Sequence, residues 1–159
     1  MRKILAVLML VCALGLFAQI PAGTKSIGLS ASVGDILNMD APAALGYDVN
    51  VMVGYFLMDN LELIVGGSIW QPAIDGADLV WGVEGGFAYH YPISPMMGAF
   101  ARAMFYYVDP SKWVPIDVGV EIFLNSNVAI QIYDEFVLSL DDGGSNSDYI
   151  KVGIAAYIE

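Results

Sequence analysis

Between residues 79 and 91, large apolar side chains alternate with small or polar ones. Leu79, Trp81, Val83, Phe87, Tyr89 and Tyr91 interleave with Val80, Gly82, Glu84, Gly86, Ala88 and His90. A period of two is the strand period and sends the two sets to opposite faces of a sheet. Ile116, Val118, Val120, Ile122 and Leu124 repeat the pattern against Asp117, Gly119, Glu121 and Phe123. Followed along the chain, the alternation predicts eight strands, roughly 26–33, 44–55, 61–70, 79–91, 97–108, 114–124, 128–138 and 148–158. Their lengths suit tilted strands crossing a hydrocarbon layer, which takes about 9–11 residues. Asp134 falls on the apolar parity of the seventh strand, so a bulge or a place near a rim is expected there.

Composition decides which kind of sheet this is. The chain is 57% hydrophobic and only 14% charged, too apolar for an ordinary water-soluble domain. No stretch beyond the first twenty residues approaches the ~18 consecutive apolar residues of a spanning helix. Lipid leaves one other way to satisfy every backbone group, a sheet closed on itself. The expected fold is therefore all-β: a closed, eight-stranded, antiparallel up-and-down transmembrane β-barrel. Short connections at 57–60, 92–95 and 125–127 alternate with longer ones at 34–43, 71–78, 109–113 and 139–147. Tight periplasmic turns, longer external loops and periplasmic termini follow from that alternation.

Arg2 and Lys3 precede an apolar run from Ile4 to Gly15, with a cleavage point after Ala18. This is the anatomy of a secretory signal peptide, so residues 1–18 are expected to be removed and 19–159 to form the barrel. Cys12, the only cysteine, lies in the leader, which leaves the exported chain no disulfide and no thiol chemistry. Without the leader, Lys25, Arg102, Lys112 and Lys151 face 17 acids. Nucleic acid is a poor partner for such a surface.

The segment GYFLMDN, Gly54 to Asn60, is a strand end followed by a turn, and with the strand pattern it resembles the small OmpA/OmpX-type eight-stranded outer-membrane barrels. The resemblance covers essentially the whole exported chain and implies an outer-membrane location, contact with outer-membrane lipid, and insertion by the barrel-assembly machinery. It extends to the barrel domain only, without the peptidoglycan-binding domain of longer relatives. Many members end on an aromatic residue that the machinery reads, whereas this chain ends Tyr157, Ile158, Glu159. Interfacial aromatic girdles are expected from Tyr47, Trp81, Tyr107 and Tyr149 at one rim and Tyr55, Tyr89, Tyr91 and Tyr157 at the other.

The inward parity carries charge, and hairpin geometry pairs it, because antiparallel partners keep a constant number sum. A turn centred on Ile93 sets Glu84 opposite Arg102, and one between Ser111 and Lys112 sets Arg102 opposite Glu121. Centres at Ser126 and Gly143 set Asp117 opposite Glu135 and Glu135 opposite Lys151. Both clusters are expected to satisfy a barrel interior, Arg102 serving two glutamates through forked hydrogen bonds. The many inward glycines, Gly54, Gly66, Gly82, Gly86 and Gly119 among them, suggest water-filled pockets. His90, the only histidine, lies near the periplasmic rim, away from the outer leaflet where lipid-modifying barrel enzymes act.

Acids crowd the longer loops. Oxygen ligands of this kind suit Ca²⁺ or Mg²⁺, and Asp141, Asp142 and Asp148 are the weak candidates for divalent cations; no metal site is assigned and no cofactor is implied. The function expected is a structural, anchoring or weakly conducting, cation-preferring barrel without enzymatic activity. Two alternatives stand beside it: a soluble periplasmic lipocalin-like carrier with its apolar face inward, and a lipid-modifying barrel enzyme.

Overall fold

The computed structural model describes residues 20–32, 47–71, 78–141 and 147–159. Eight strands follow one another: β1 Lys25–Ser32, β2 Tyr47–Met58, β3 Leu61–Gln71, β4 Val80–Ser94, β5 Met97–Val108, β6 Ser111–Asn125, β7 Val128–Ser139 and β8 Ser147–Ile158. Each pairs antiparallel with its neighbour, and β8 returns to β1 (Lys25 opposite Ile158, Ser32 opposite Lys151), closing the barrel. Closure leaves no unpaired edge, which is what a backbone in lipid requires. The leader assigned to residues 1–18 lies outside the described residues.

Side chains divide by parity as the alternation demands. Trp81, Val83, Ile116, Val118 and Val120 face outward, Trp81 and Val118 being 71% and 61% exposed. Glu84, Arg102, Asp117, Glu121, Glu135 and Lys151 face inward and are buried. The molecule is thus apolar outside and polar inside, the arrangement that suits a hydrocarbon surround. A carrier would need the reverse, so the lipocalin-like alternative falls here.

Two-residue turns at Asp59–Asn60, Pro95–Met96 and Ser126–Asn127 gather at one end with Ile20–Thr24 and the end of β8; this is the turn end. Asn60 takes a left-handed φ of 64°, which asparagine tolerates better than most residues. A register shift sits beside each of the three turns, at Phe56/Met58, Pro92/Ser94 and Phe123/Asn125. The other end is the loop end. There the connection expected to be longer, 109–113, is instead a tight turn at Asp109–Pro110, because β6 starts at Ser111 and its ladder with β5 runs to Val108 opposite Ser111.

Two further expectations change. The ladder between β6 and β7 passes through Val118 opposite Asp134 without a register shift until Phe123. Of the two arrangements expected for Asp134, the bulge is thus overturned, and the residue keeps its outward parity. Tyr157 is no girdle residue: it shares the parity of Lys151 and Gly153 and is buried in the lumen. Tyr55, Trp81, Tyr89 and Tyr107 do lie outside, whereas Tyr149, though exposed, stands opposite inward Glu135 and shares the lumen parity of Lys151, so it too leaves the girdle; Tyr91 is half-buried, and the side chain of Tyr47 lies outside the described set.

Candidate functional site

The inward glycines act as sockets rather than pores. A Cβ on Gly82 would strike the ring of Tyr106, one on Gly119 would strike Tyr133, and one on Gly54 would strike the carboxylate of Glu62. At Gly54 and Gly82 side chains from neighbouring strands lean over the gap, whereas Gly119 lets the backbone at Ile132 and Tyr133 come close. Among the described residues, a cavity of about 20 Å³ lies between Ser26, Glu62, Arg102 and Tyr157, room for about one water.

Arg102 on β5 occupies the middle. Its Nε donates to Asp117 Oδ2 at 2.7 Å, its Nη1 lies 3.5 Å from Met52 Sδ, and its guanidinium carbon stands 4.4 Å from the ring centre of Tyr133 and 5.0 Å from that of Phe100. A planar cation between aromatic faces gains cation–π attraction as well as its ion pair. The partners differ from those expected. Arg102 stands opposite Ala88 and Asp117, whereas Glu84 stands opposite Tyr106 and Glu121 opposite Gly98. The cause is the turn: β4 continues through Pro92 to Ser94 and turns at Pro95–Met96 rather than around Ile93. Proline is tolerated where a bulge relieves the ladder, and the register moves accordingly.

Toward the loop end, Lys151 Nζ pairs with Glu135 Oε1 and Asp48 Oδ2, both at 2.8 Å. Asp117 stands opposite Glu135 in the ladder, as the turn centre at Ser126 implies. Lys151 itself stands opposite Tyr133, with Glu135 opposite Tyr149, so its ion pair with Glu135 runs diagonally. Glu84 Oε1, Asp117 Oδ1 and Arg102 Nη2 are buried and have no hydrogen-bond partner among the described residues.

Toward the turn end a second network forms around His90. Its Nε2 lies 2.9 Å from Glu62 Oε2 and its Nδ1 3.1 Å from Glu121 Oε1. Tyr157 donates its hydroxyl to Glu121 Oε2 at 2.7 Å, and Ser26 donates to Glu62 Oε1. Below it Ile20 packs with Phe56, Ala129, Ala155 and Tyr157. Ile20 is held by reciprocal bonds with Asn60: its N–H donates to Oδ1 at 2.9 Å and its carbonyl accepts from the Asn60 N–H at 3.0 Å. The sequence reading placed His90 near this end but missed the bridge, although Glu62, His90, Glu121 and Tyr157 all share the inward parity. Ser26 serves Glu62, not His90, so no serine–histidine pair forms at this histidine.

Among the weak loop candidates, Asp141 accepts from the Lys112 backbone N–H at 3.1 Å; Asp142 and the side chain of Asp148 lie outside the described set. No group of three or more potential metal-ligating side chains occurs among the described residues.

No family model matches the chain, and no curated protein matches it in sequence. Solved structures do. A de novo designed transmembrane β-barrel superposes with a TM-score of 0.65 at 19% identity, covering 88% of this chain and 99% of the design. The outer membrane protein Ail of Yersinia pestis, in a phospholipid bilayer nanodisc, gives 0.60 at 9% identity over 86% and 99%. The N-terminal β-barrel domain of Pseudomonas aeruginosa OprF gives 0.58 at 11% identity over 86% and 98%. With its closed ladder, outward apolar face and filled polar interior, the chain has the fold of the small OmpA/OmpX-type eight-stranded transmembrane barrels.

Proposed function

We propose that this protein is an outer-membrane barrel whose role is structural, spanning and anchoring in lipid with its lumen shut to ions. One observation carries the reading. Arg102, bonded to Asp117 and stacked on Phe100 and Tyr133, lies across the middle of a lumen whose gaps at Gly54 and Gly82 are occupied by neighbouring side chains. An eight-stranded barrel encloses little more than its own side chains. The geometry of His90, gripped by two carboxylates deep in the lumen, supports a structural rather than a catalytic role for it. Outer-membrane placement is supported by the fold shared with Ail and the OprF domain, and it accords with the export signal expected at residues 1–18.

Recording from the refolded protein in a planar bilayer tests this. The expected result is a flat trace, and resolved unit currents would overturn the closed-lumen reading. The secondary, conducting reading then makes its own demand. Asp48, Glu62, Glu84, Asp117, Glu121 and Glu135 outnumber Arg102, Lys151 and His90, so any current should reverse toward the cation equilibrium potential in a salt gradient.

A further inference from the structure

The bridge at the turn end poses a problem of proton count. A neutral imidazole has one N–H to donate and one lone pair to offer. Both ring nitrogens of His90 face carboxylate oxygens, at 2.9 Å and 3.1 Å, so a neutral ring would turn its lone pair on one of them. The outer oxygens offer no relief, since Ser26 already donates to Glu62 Oε1 and Tyr157 to Glu121 Oε2. Every contact becomes favourable at once when the ring carries both protons and both glutamates are ionised.

We propose that Glu62, His90 and Glu121 form a proton-binding site, in which one proton beyond those of a neutral ring is held as imidazolium and locks the turn end of the barrel. Facing the ring are Ser26 of β1, Phe56 of β2 at 5.2 Å between ring centres, Glu62 of β3, Phe100 of β5 at 6.0 Å, Glu121 of β6 and Tyr157 of β8 at 6.2 Å. Gln131 of β7 stands behind Tyr157, its Nε2 3.4 Å from the phenol oxygen. Arg102, 5.0 Å from the ring centre of Phe100, is the nearby cation, and it is committed to Asp117. The proton on His90 is thus what balances the two glutamates. Losing it would leave two carboxylates against a neutral ring in a space that Ile20 and Phe56 cover from below.

The lock reaches five strands, because Ser26, Glu62, His90, Glu121 and Tyr157 lie on β1, β3, β4, β6 and β8. Those strands also hold the Ile20 cap, through Tyr157 on β8 and through Asn60, which precedes β3. The site needs no bound molecule and makes no covalent bond; the proton comes from water and returns to it.

The test is nitrogen NMR on the ¹⁵N-histidine-labelled protein, refolded in micelles, where the single histidine gives an unambiguous signal. At pH 8 an ordinary histidine is only ~3% doubly protonated. Here both ring nitrogens are expected in the protonated range, and a signal from an unprotonated ring nitrogen at that pH overturns the proposal. The double variant E62Q/E121Q keeps acceptors at both positions but removes their charge, and its ring is expected to lose one proton at pH 8. A ring that stays doubly protonated in that variant also overturns it. If the variant does not refold, the measurement on the unaltered protein still decides.

Discussion

The two halves of the lumen both bury carboxylates, and they solve the problem of buried charge differently. At the turn end, one histidine, two glutamates, a tyrosine and a serine close a chain in which all four carboxylate oxygens have partners. At the loop end, Arg102 pairs with Asp117 and Lys151 with Asp48 and Glu135, and Glu84 Oε1, Asp117 Oδ1 and Arg102 Nη2 have no hydrogen-bond partner among the described residues. A saturated network resists any single change because each member has a fixed partner. A half-saturated one concentrates its cost on the few groups that are paired and leaves others cheap to alter.

That contrast can be broken at its strongest point first. Arg102→Ala strands Asp117, which is fully buried, and should cost about 3–5 kcal/mol in urea titrations on lipid vesicles. Adding Asp117→Asn should recover much of the loss, since the uncompensated charge goes with it. Failure to recover would mean that Arg102 acts mainly by packing on Phe100 and Tyr133.

A smaller effect is expected at the saturated end. Tyr157→Phe keeps the ring contacts with Phe56 and Phe123 but removes the donor to Glu121, for a cost of about 1–3 kcal/mol. The smallest is expected from Glu84→Gln, where a carboxylate with a partnerless oxygen is neutralised among excess acids. Stability should move by less than about 1 kcal/mol, in either direction. If Glu84→Gln costs as much as Tyr157→Phe, the distinction between the two halves is lost.

Which face each residue takes was legible in the sequence, and which residue it meets was only partly so. Glu84, Arg102 and Glu121 were set inside by alternation alone, and they are inside. Their partners were inferred from turn centres, and the ladders on either side of β5 are displaced by four from that inference, with Arg102 meeting Ala88 and Asp117. The reason is arithmetic as much as chemistry. Once parity fixes two residues as inward, any allowed register differs by an even number, so a misplaced turn changes partners without changing faces. Pro92 reads locally as the end of a strand, and only the bulge beside it lets β4 run on. Where the turn centre was right, at Ser126, Asp117 does stand opposite Glu135. Tyr157 was legible but misread: its clustering with other terminal tyrosines suggested a rim, while its parity with Lys151 put it inside. The His90 bridge depends on strand stagger across the barrel, which no local pattern encodes.

The sockets at Gly54 and Gly82 have a consequence for how such a barrel could change. Strand number fixes the diameter of the cylinder, but its bore is a matter of tenancy. The occupants at Gly54 and Gly82 are identifiable: Glu62 and Tyr106 lodge where the wall has no side chain of its own. Altering a tenant leaves the ladder and the lipid-facing belt untouched, so the hollowness of the cylinder can drift independently of its ability to sit in a membrane. Enlarging the glycines would do the opposite, because the wall would then collide with what it was shaped to receive.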